Sequence, residues 1–231
     1  MTVRPDSECA RLGVRLGGMG SCCDADDYQR VFTEAEARRH LHRFLQKGLS
    51  GSEGQLADAV AAIGINRSTI LEVGGGMGAL HASLLQRGAR QATSIDLSSN
   101  WDAAATELLS GLGLAGRVTR MSGDAVEIAS ELVVHDVAIA HRVVCCYPDW
   151  EPLLRMIISR SRQGIGLTFP RDTWLVRSGL AMGNLCPRLS GMSFRAHVHD
   201  PTAMIDLVED AGFEVTYDES GLIWRTMVFA R

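Results

Sequence analysis

The chain has 231 residues, of which 46% are hydrophobic and 22% charged, with a formal net charge of −4; that is globular composition and excludes a fibrous or disordered chain. The slightly acidic balance supplies no global positive field for nucleic acid or an anionic membrane, so a small-molecule partner is expected. The N-terminal stretch MTVRPDSECARLGVRLGG lacks the apolar run of a secretory signal, no window approaches a membrane span, and the six cysteines show no CxxC spacing. A cytoplasmic chain with reduced thiols and no membrane partner follows.

Residues 1–27 read as an irregular arm. From Tyr28 the pattern turns helical, with Ala37, Leu41, Phe44 and Leu45 on one face, a Glu34–Arg38 pair at i,i+4, and Gly48 as the stop. A second helix starts near Ser52 and runs through LADAVAAIG to Gly64. Strand-like and helical runs then alternate: TILEV, a helix from Gly78 to Gln86, ATSID, a helix from Ser99 to Leu112, RVTRM, a short helical stretch near Ala125, HDVAIAH, a helix from Asp149 to Ser161, and GIGLTF. Such alternation predicts an α/β, doubly wound, mostly parallel sheet. The stretch from Phe169-Pro170 to about Val198 interrupts the alternation and reads as an insertion over one end of the sheet. Asp200-Pro201 opens a helix to Ala211 that Gly212 closes, and FEVTY and GLIWRTMVFA, separated by Asp218, Glu219 and Ser220, close the chain as a hairpin. One domain is expected, with arm and helices over 1–64, a core over 65–169, the insertion over 170–198 and the closing helix and hairpin over 199–231.

ILEVGGGMGA, residues 70–79, places Gly74, Gly76 and Gly78 where the first strand enters the first helix of the core. Glycines there allow backbone angles forbidden to other residues and let a ligand touch the main chain, and ligands of doubly wound sheets bind at that edge. GGGMGA satisfies both GxGxxA, through Gly74, Gly76 and Ala79, and GxGxG, through Gly74, Gly76 and Gly78. The glycines alone do not choose between a dinucleotide and another ligand.

Glu72 two residues before Gly74, Asp96 in SID and Asp124 in SGDA, together with two helices ahead of the glycines and a closing hairpin, resemble the class I S-adenosylmethionine-dependent methyltransferases. CCD, EVGGGMG, HRVVCCYPDW and FRAHVH in this order are similar to a bacterial subgroup of that family without an assigned substrate. The resemblance implies a Rossmann-like, mostly parallel seven-stranded sheet with an antiparallel last strand and an N-terminal helical cap. It implies S-adenosylmethionine as cofactor, S-adenosylhomocysteine as product, and contacts from Glu72, Gly74, Gly75, Gly76, Gly78, Asp96, Leu97, Asp124, Ala125 and His141. In that family the second-strand acid takes the ribose hydroxyls, and the third-strand acid and the following amide take the adenine.

Methyl transfer from a sulfonium is an in-line displacement that asks mainly for alignment and exclusion of water. A general base is needed only when the acceptor must lose a proton. His141, after the fourth strand, is placed to orient the acceptor or to act as base, and Tyr147 to face the sulfonium through ring or hydroxyl. Arg195, His197 and His199 alternate and share a face if extended, which makes His199 a third catalytic candidate. The Asn/Asp-Pro-Pro-Tyr signature of amine-directed members is missing, which weighs against nucleic-acid bases. Cys22-Cys23 and Cys145-Cys146 open an alternative, a thiol- or metalloid-directed methyltransferase, although adjacent cysteines on a strand point oppositely. A cofactor-binding protein without catalysis is the other alternative. Trp174, Met182, Met192 and Phe194 favour an acceptor with an aromatic or extended apolar part. A homodimer is compatible with all of this, and no metal is called for.

Overall fold

A computed structural model describes residues 25–231; Cys22-Cys23 and the arm up to residue 24 lie outside the described residues. Three helices precede the sheet: α1 (Ala25–Val31), α2 (Glu34–Lys47) and α3 (Gly51–Ala62). Helical structure thus begins three residues before Tyr28. In α2 the apolar face is narrower than its spacing predicts, because Ala37 and Leu41 are buried while Leu45 faces solvent. The ion pair on its surface is Glu36–Arg39 at 3.6 Å rather than Glu34–Arg38.

The strands are β1 (Thr69–Val73), β2 (Gln91–Asp96), β3 (Val118–Ser122), β4 (His135–His141), β5 (Ser161–Pro170), β6 (Glu214–Ser220) and β7 (Trp224–Ala230). The helices between them are α4 (Ala79–Gln86), α5 (Asp102–Gly111), α6 (Trp150–Ser159), α7 (Trp174–Gly183), α8 (Leu185–Leu189) and α9 (Pro201–Glu209). The sheet order is β3-β2-β1-β4-β5-β7-β6. Strands β1 to β5 pair in parallel, and β7 runs antiparallel between β5 and β6. The order reverses between β1 and β4, so the crevice where loops diverge lies beyond Val73 and His141.

Side chains alternate across the doubly covered strands. Ile70, Val137 and Ile139 join Leu56, Val60, Leu80, Leu84 and Leu108 on the face covered by α3, α4 and α5. Leu71, Val73, Ala138 and Ala140 join Leu153, Ile157, Met204 and Val208 on the face covered by α6 and α9. Each fully buried leucine or isoleucine contributes roughly 1.5–3 kcal/mol. Helix α3 lies close on β5, since a Cβ on Gly166 would stand 2.9 Å from both Leu56 and Val60; that proximity carries the first turn of α3 to the carboxyl edge.

Asp200 caps α9 by accepting from the Thr202 amide at 2.9 Å, with Pro201 in the first turn. The closing hairpin is longer than the sequence suggested. Asp218, Glu219 and Ser220 belong to β6, not to the turn, because an edge strand exposed along most of its length tolerates charges at every position.

Candidate active site

The chain turns from β1 into α4 through Gly74–Gly78. Gly74, Gly76 and Gly78 have φ of +66°, +52° and +89°, a region that costs other residues. A Cβ on Gly74 would lie 2.3 Å from Val143, one on Gly75 2.2 Å from Ser94 Oγ, and one on Gly78 2.4 Å from His81. At these three positions the protein's own side chains leave no room for a Cβ. At Gly76 the nearest neighbour is the Trp101 indole at 3.5 Å.

The acids at the strand ends hold this turn. Asp96 accepts the Gly76 amide at 2.7 Å on one oxygen and the Ser98 amide at 2.9 Å on the other. Burial nevertheless pushes the Asp96 carboxyl up from its ordinary value. Glu72 accepts from the His81 amide at 3.2 Å and from His81 Nδ1 at 2.5 Å. Helix α4 begins at Gly78, which has no capping side chain, so Glu72 serves as its cap from the neighbouring strand. Arg120 donates to the Gly76 carbonyl at 3.0 Å and pairs with Asp102 at 2.8 Å. Asp124 accepts the Val126 amide at 2.8 Å and the Tyr147 hydroxyl at 3.1 Å. Burial first, then Asp124, push the Tyr147 phenol far up. The Tyr147 hydroxyl is therefore engaged with Asp124.

His141 ends β4, and its Nε2 lies 3.1 Å from Ser52 Oγ of α3. Arg142 donates to the same Oγ at 2.9 Å, and its guanidinium stacks 4.4 Å from the Trp224 ring. The Ser52 hydroxyl thus bridges the Arg142 guanidinium and the His141 imidazole. Burial, then Arg142, hold His141 down at about 3, so the ring is neutral at physiological pH. Glu53, next to Ser52, is pushed up to about 7 by burial first and then by Glu72.

Helix α1 and the strap 192–199 lie over this edge. Tyr28 and Phe194 pack edge to face at 5.3 Å, with Leu97, directly after Asp96, and Cys146 against them. Tyr28 donates to the Cys146 carbonyl at 2.9 Å, and Asp27 accepts from the Ser193 amide and hydroxyl at 2.5 and 2.6 Å. In the strap His197 and His199 do share a face, their rings stacked at 5.7 Å, while Arg195 folds back onto the Met192 and Phe194 carbonyls. Burial lowers both histidines, and His199 Nε2 meets the Val144 carbonyl at 3.2 Å. Cys145 and Cys146 lie in a single helical turn, Val144–Cys146, rather than on a strand. Both sulfurs therefore approach one carbonyl, that of Arg142, at 3.5 and 3.8 Å. Among the described residues no group of three His, Cys, Asp or Glu is arranged to hold a metal ion.

Ser52, Glu53, His81, Ser94 and Arg142 escaped the sequence reading. The signal for Ser52 and Glu53 was present as Ser50-Gly51-Ser52-Glu53, a capping-box spelling. Arg142 carried none, since its φ of +60° is visible only in the fold.

Residues 71–164 match the family model described as a methyltransferase domain. No curated protein sequence matches the chain. Among solved structures, the chain is similar to magnesium protoporphyrin IX methyltransferase from Synechocystis PCC 6803 with bound S-adenosylhomocysteine, at 20% identity over 89% of this chain and 93% of that one, TM-score 0.63. It is also similar to an O-methyltransferase family protein from Burkholderia thailandensis, at 17% identity over 89% and 68%, TM-score 0.63. At such identities these structures share the fold. The matched stretch runs from β1 into β5 on this sheet order, so the part of the chain around the glycine turn is similar to a methyltransferase domain.

Proposed function

We propose that the chain is an S-adenosylmethionine-dependent methyltransferase that acts on a small-molecule acceptor with a large apolar part, bound at the carboxyl edge of β4 and β5 beside segment 170–198. The observation that carries this reading is a run of exposed apolar side chains leading away from that edge. Trp174 is 76% and Leu189 82% exposed, and Leu175, Met182 and Leu185 are exposed with them. Leu222 and Ile223, also exposed, join the run through the hairpin turn, where Arg171 donates from its amide to the Ile223 carbonyl and from its guanidinium to the Gly221 carbonyl, each at 2.8 Å. An apolar surface of this extent beside a reacting centre fits an apolar ligand better than water. The net charge of −4 weighs against a nucleic-acid acceptor.

The residues around the glycine turn fit the cofactor. Ser94 Oγ is buried beside Gly75 without a partner among the described residues, Asp96 stands beside Gly76, and Asp124 follows β3. On this reading Glu72, Gly74, Gly75, Gly76 and Gly78 form the amino-acid side of the cradle, Asp96 and Leu97 the ribose side, and Asp124 and Ala125 the adenine side. The bound cofactor supplies an already activated methyl group, so the chain's task is alignment. His141 is neutral and held through Nε2 by Ser52, which leaves Nδ1 to orient an acceptor. Tyr147 takes part through its ring, and His199, stacked on His197, lines the acceptor side. No described helix is long and apolar enough to cross a membrane, in keeping with a cytoplasmic enzyme.

The test is transfer of labelled methyl from S-adenosylmethionine to a cell extract that is then separated into organic-soluble, protein and nucleic-acid fractions. Label in the organic-soluble fraction supports the reading, and label confined to nucleic acid or protein overturns it. The convergence of Cys145 and Cys146 on one carbonyl favours, as a second reading, a thiol- or metalloid-directed reaction. Cys145→Ser with Cys146→Ser abolishes transfer under that reading and leaves it intact under the first.

A further inference from the structure

Glu53 is a carboxylate of this edge with no partner in the glycine turn or its acids. It occupies the third position of α3, where the Ser50-x-x-Glu53 spelling calls for it to fold back on the Ser50 amide. No side-chain capping bond forms there, and among the described residues the Glu53 carboxylate has neither a hydrogen bond nor an ion pair. Its neighbour Ser52 binds His141 and Arg142 at the tip of β4, so the turn carrying Glu53 borders the crevice. The charges that face it are Glu72 from β1, Arg142 after β4 and Arg43 from α2. Glu72 is bonded to His81, and Arg142 to Ser52 and the Trp224 ring. Neither Arg142 nor Arg43 forms an ion pair with Glu53, although both bear on its charge. A half-buried acid left unpaired beside a second acid is poised for a cation that arrives from outside.

The two forms of the cofactor differ in that respect. S-adenosylmethionine carries a sulfonium and a net charge of +1, whereas S-adenosylhomocysteine is a neutral thioether with the same zwitterionic end. We propose that Glu53 is the countercharge by which the crevice prefers the cationic cofactor to the neutral product. It ionises as S-adenosylmethionine binds, releasing its proton to solvent, and regains a proton once the charge has left with the methyl group. The inference rests on the methyltransferase reading of the site. Its value near 7 in the free protein agrees with a group that changes state at physiological pH.

Calorimetric titration of the full chain with S-adenosylmethionine and, separately, S-adenosylhomocysteine, in phosphate and in Tris at pH 7, measures the protons released. At a value near 7 about half of the Glu53 carboxyls are protonated before binding. Wild type should therefore release roughly half a proton more than Glu53→Gln with S-adenosylmethionine, and no more than it with S-adenosylhomocysteine; the ligand's own ionisation cancels in the comparison. Glu53→Gln should lose roughly three- to tenfold of the preference for S-adenosylmethionine, while Glu53→Asp keeps most of it. In wild type the affinity for S-adenosylmethionine should rise with pH up to about 7 and then level, with S-adenosylhomocysteine flat. Equal proton release and an unchanged preference in Glu53→Gln overturn the inference and leave the cofactor assignment standing. No binding of either ligand by wild type overturns both.

Discussion

Helices α2 and α3 begin with the same signature and use it differently. At α2, Thr33 accepts from the Glu36 amide at 3.3 Å and Glu36 accepts from the Thr33 amide at 3.3 Å, a complete capping box on the protein surface. At α3, Ser50 and Glu53 stand at the same spacing and form neither bond. The second start lies near the tips of β1 and β4, where Ser52 is drawn to His141 and Arg142 and Glu53 comes under the charges of Glu72, Arg142 and Arg43. Local sequence offers the cap in both places, and tertiary surroundings decide whether it closes. One helix start adds stability, and the other gives some up to keep a charge near the site.

The comparison is broken most directly by exchanging the two glutamates for glutamine. Glu53 has its folded value raised from 4.5 to about 7, so the folded state binds more protons than the unfolded one between those limits, and stability contributed by the protonated form is lost as pH rises through 7. Glu53→Gln should therefore stabilise the protein at pH 8 by on the order of 2–3 kcal/mol and have little effect below pH 4.5, as read by urea denaturation at both pH values. Glu36→Gln should not stabilise at either pH. If Glu53→Gln destabilises at pH 8, the contrast between the helix starts is wrong.

Next in size is Ser52→Ala, which leaves Arg142 and His141 Nε2 without their shared partner inside the protein. A loss of roughly 1–3 kcal/mol is expected, and a change below a few tenths in thermal unfolding would show that this link carries no weight. Thr33→Ala should cost about 1 kcal/mol, as at other working N-caps. Ser50→Ala, where no capping bond exists to lose, should cost at most a few tenths of that unit. Equal costs at Thr33 and Ser50 in the same denaturation series would erase the difference between α2 and α3.

Much of the fold is legible in the residues. TILEV and HDVAIAH coincide with β1 and β4 because strands covered on both faces are continuous apolar runs bounded by turn formers. Asp218, Glu219 and Ser220 have the composition of a turn, and only the solvent beside an edge strand makes them acceptable in the β6 ladder. At the site, the glycines and the acids at 72, 96 and 124 stand out in the sequence, but their partners do not. Glu72 meets His81 across nine residues and Asp96 meets Gly76 across twenty. Ser52 and His141 are separated by eighty-nine. Strand geometry would turn the two cysteines apart, while the chain there makes a helical turn that brings both sulfurs to one carbonyl.

By itself, the sequence determined the order and kind of the elements, the place of the glycine turn and the acids beside it. Those follow from periodicity and backbone sterics, which act within a few residues. Only the tertiary structure decided which side chains fill the space denied to Cβ atoms at Gly74, Gly75 and Gly78, which nitrogen of His141 meets Ser52, and that Glu53 at the crevice edge remains unpaired. Such outcomes depend on contacts between segments far apart in the chain and on how deeply each charge is removed from water, and neither is written in any local stretch of residues.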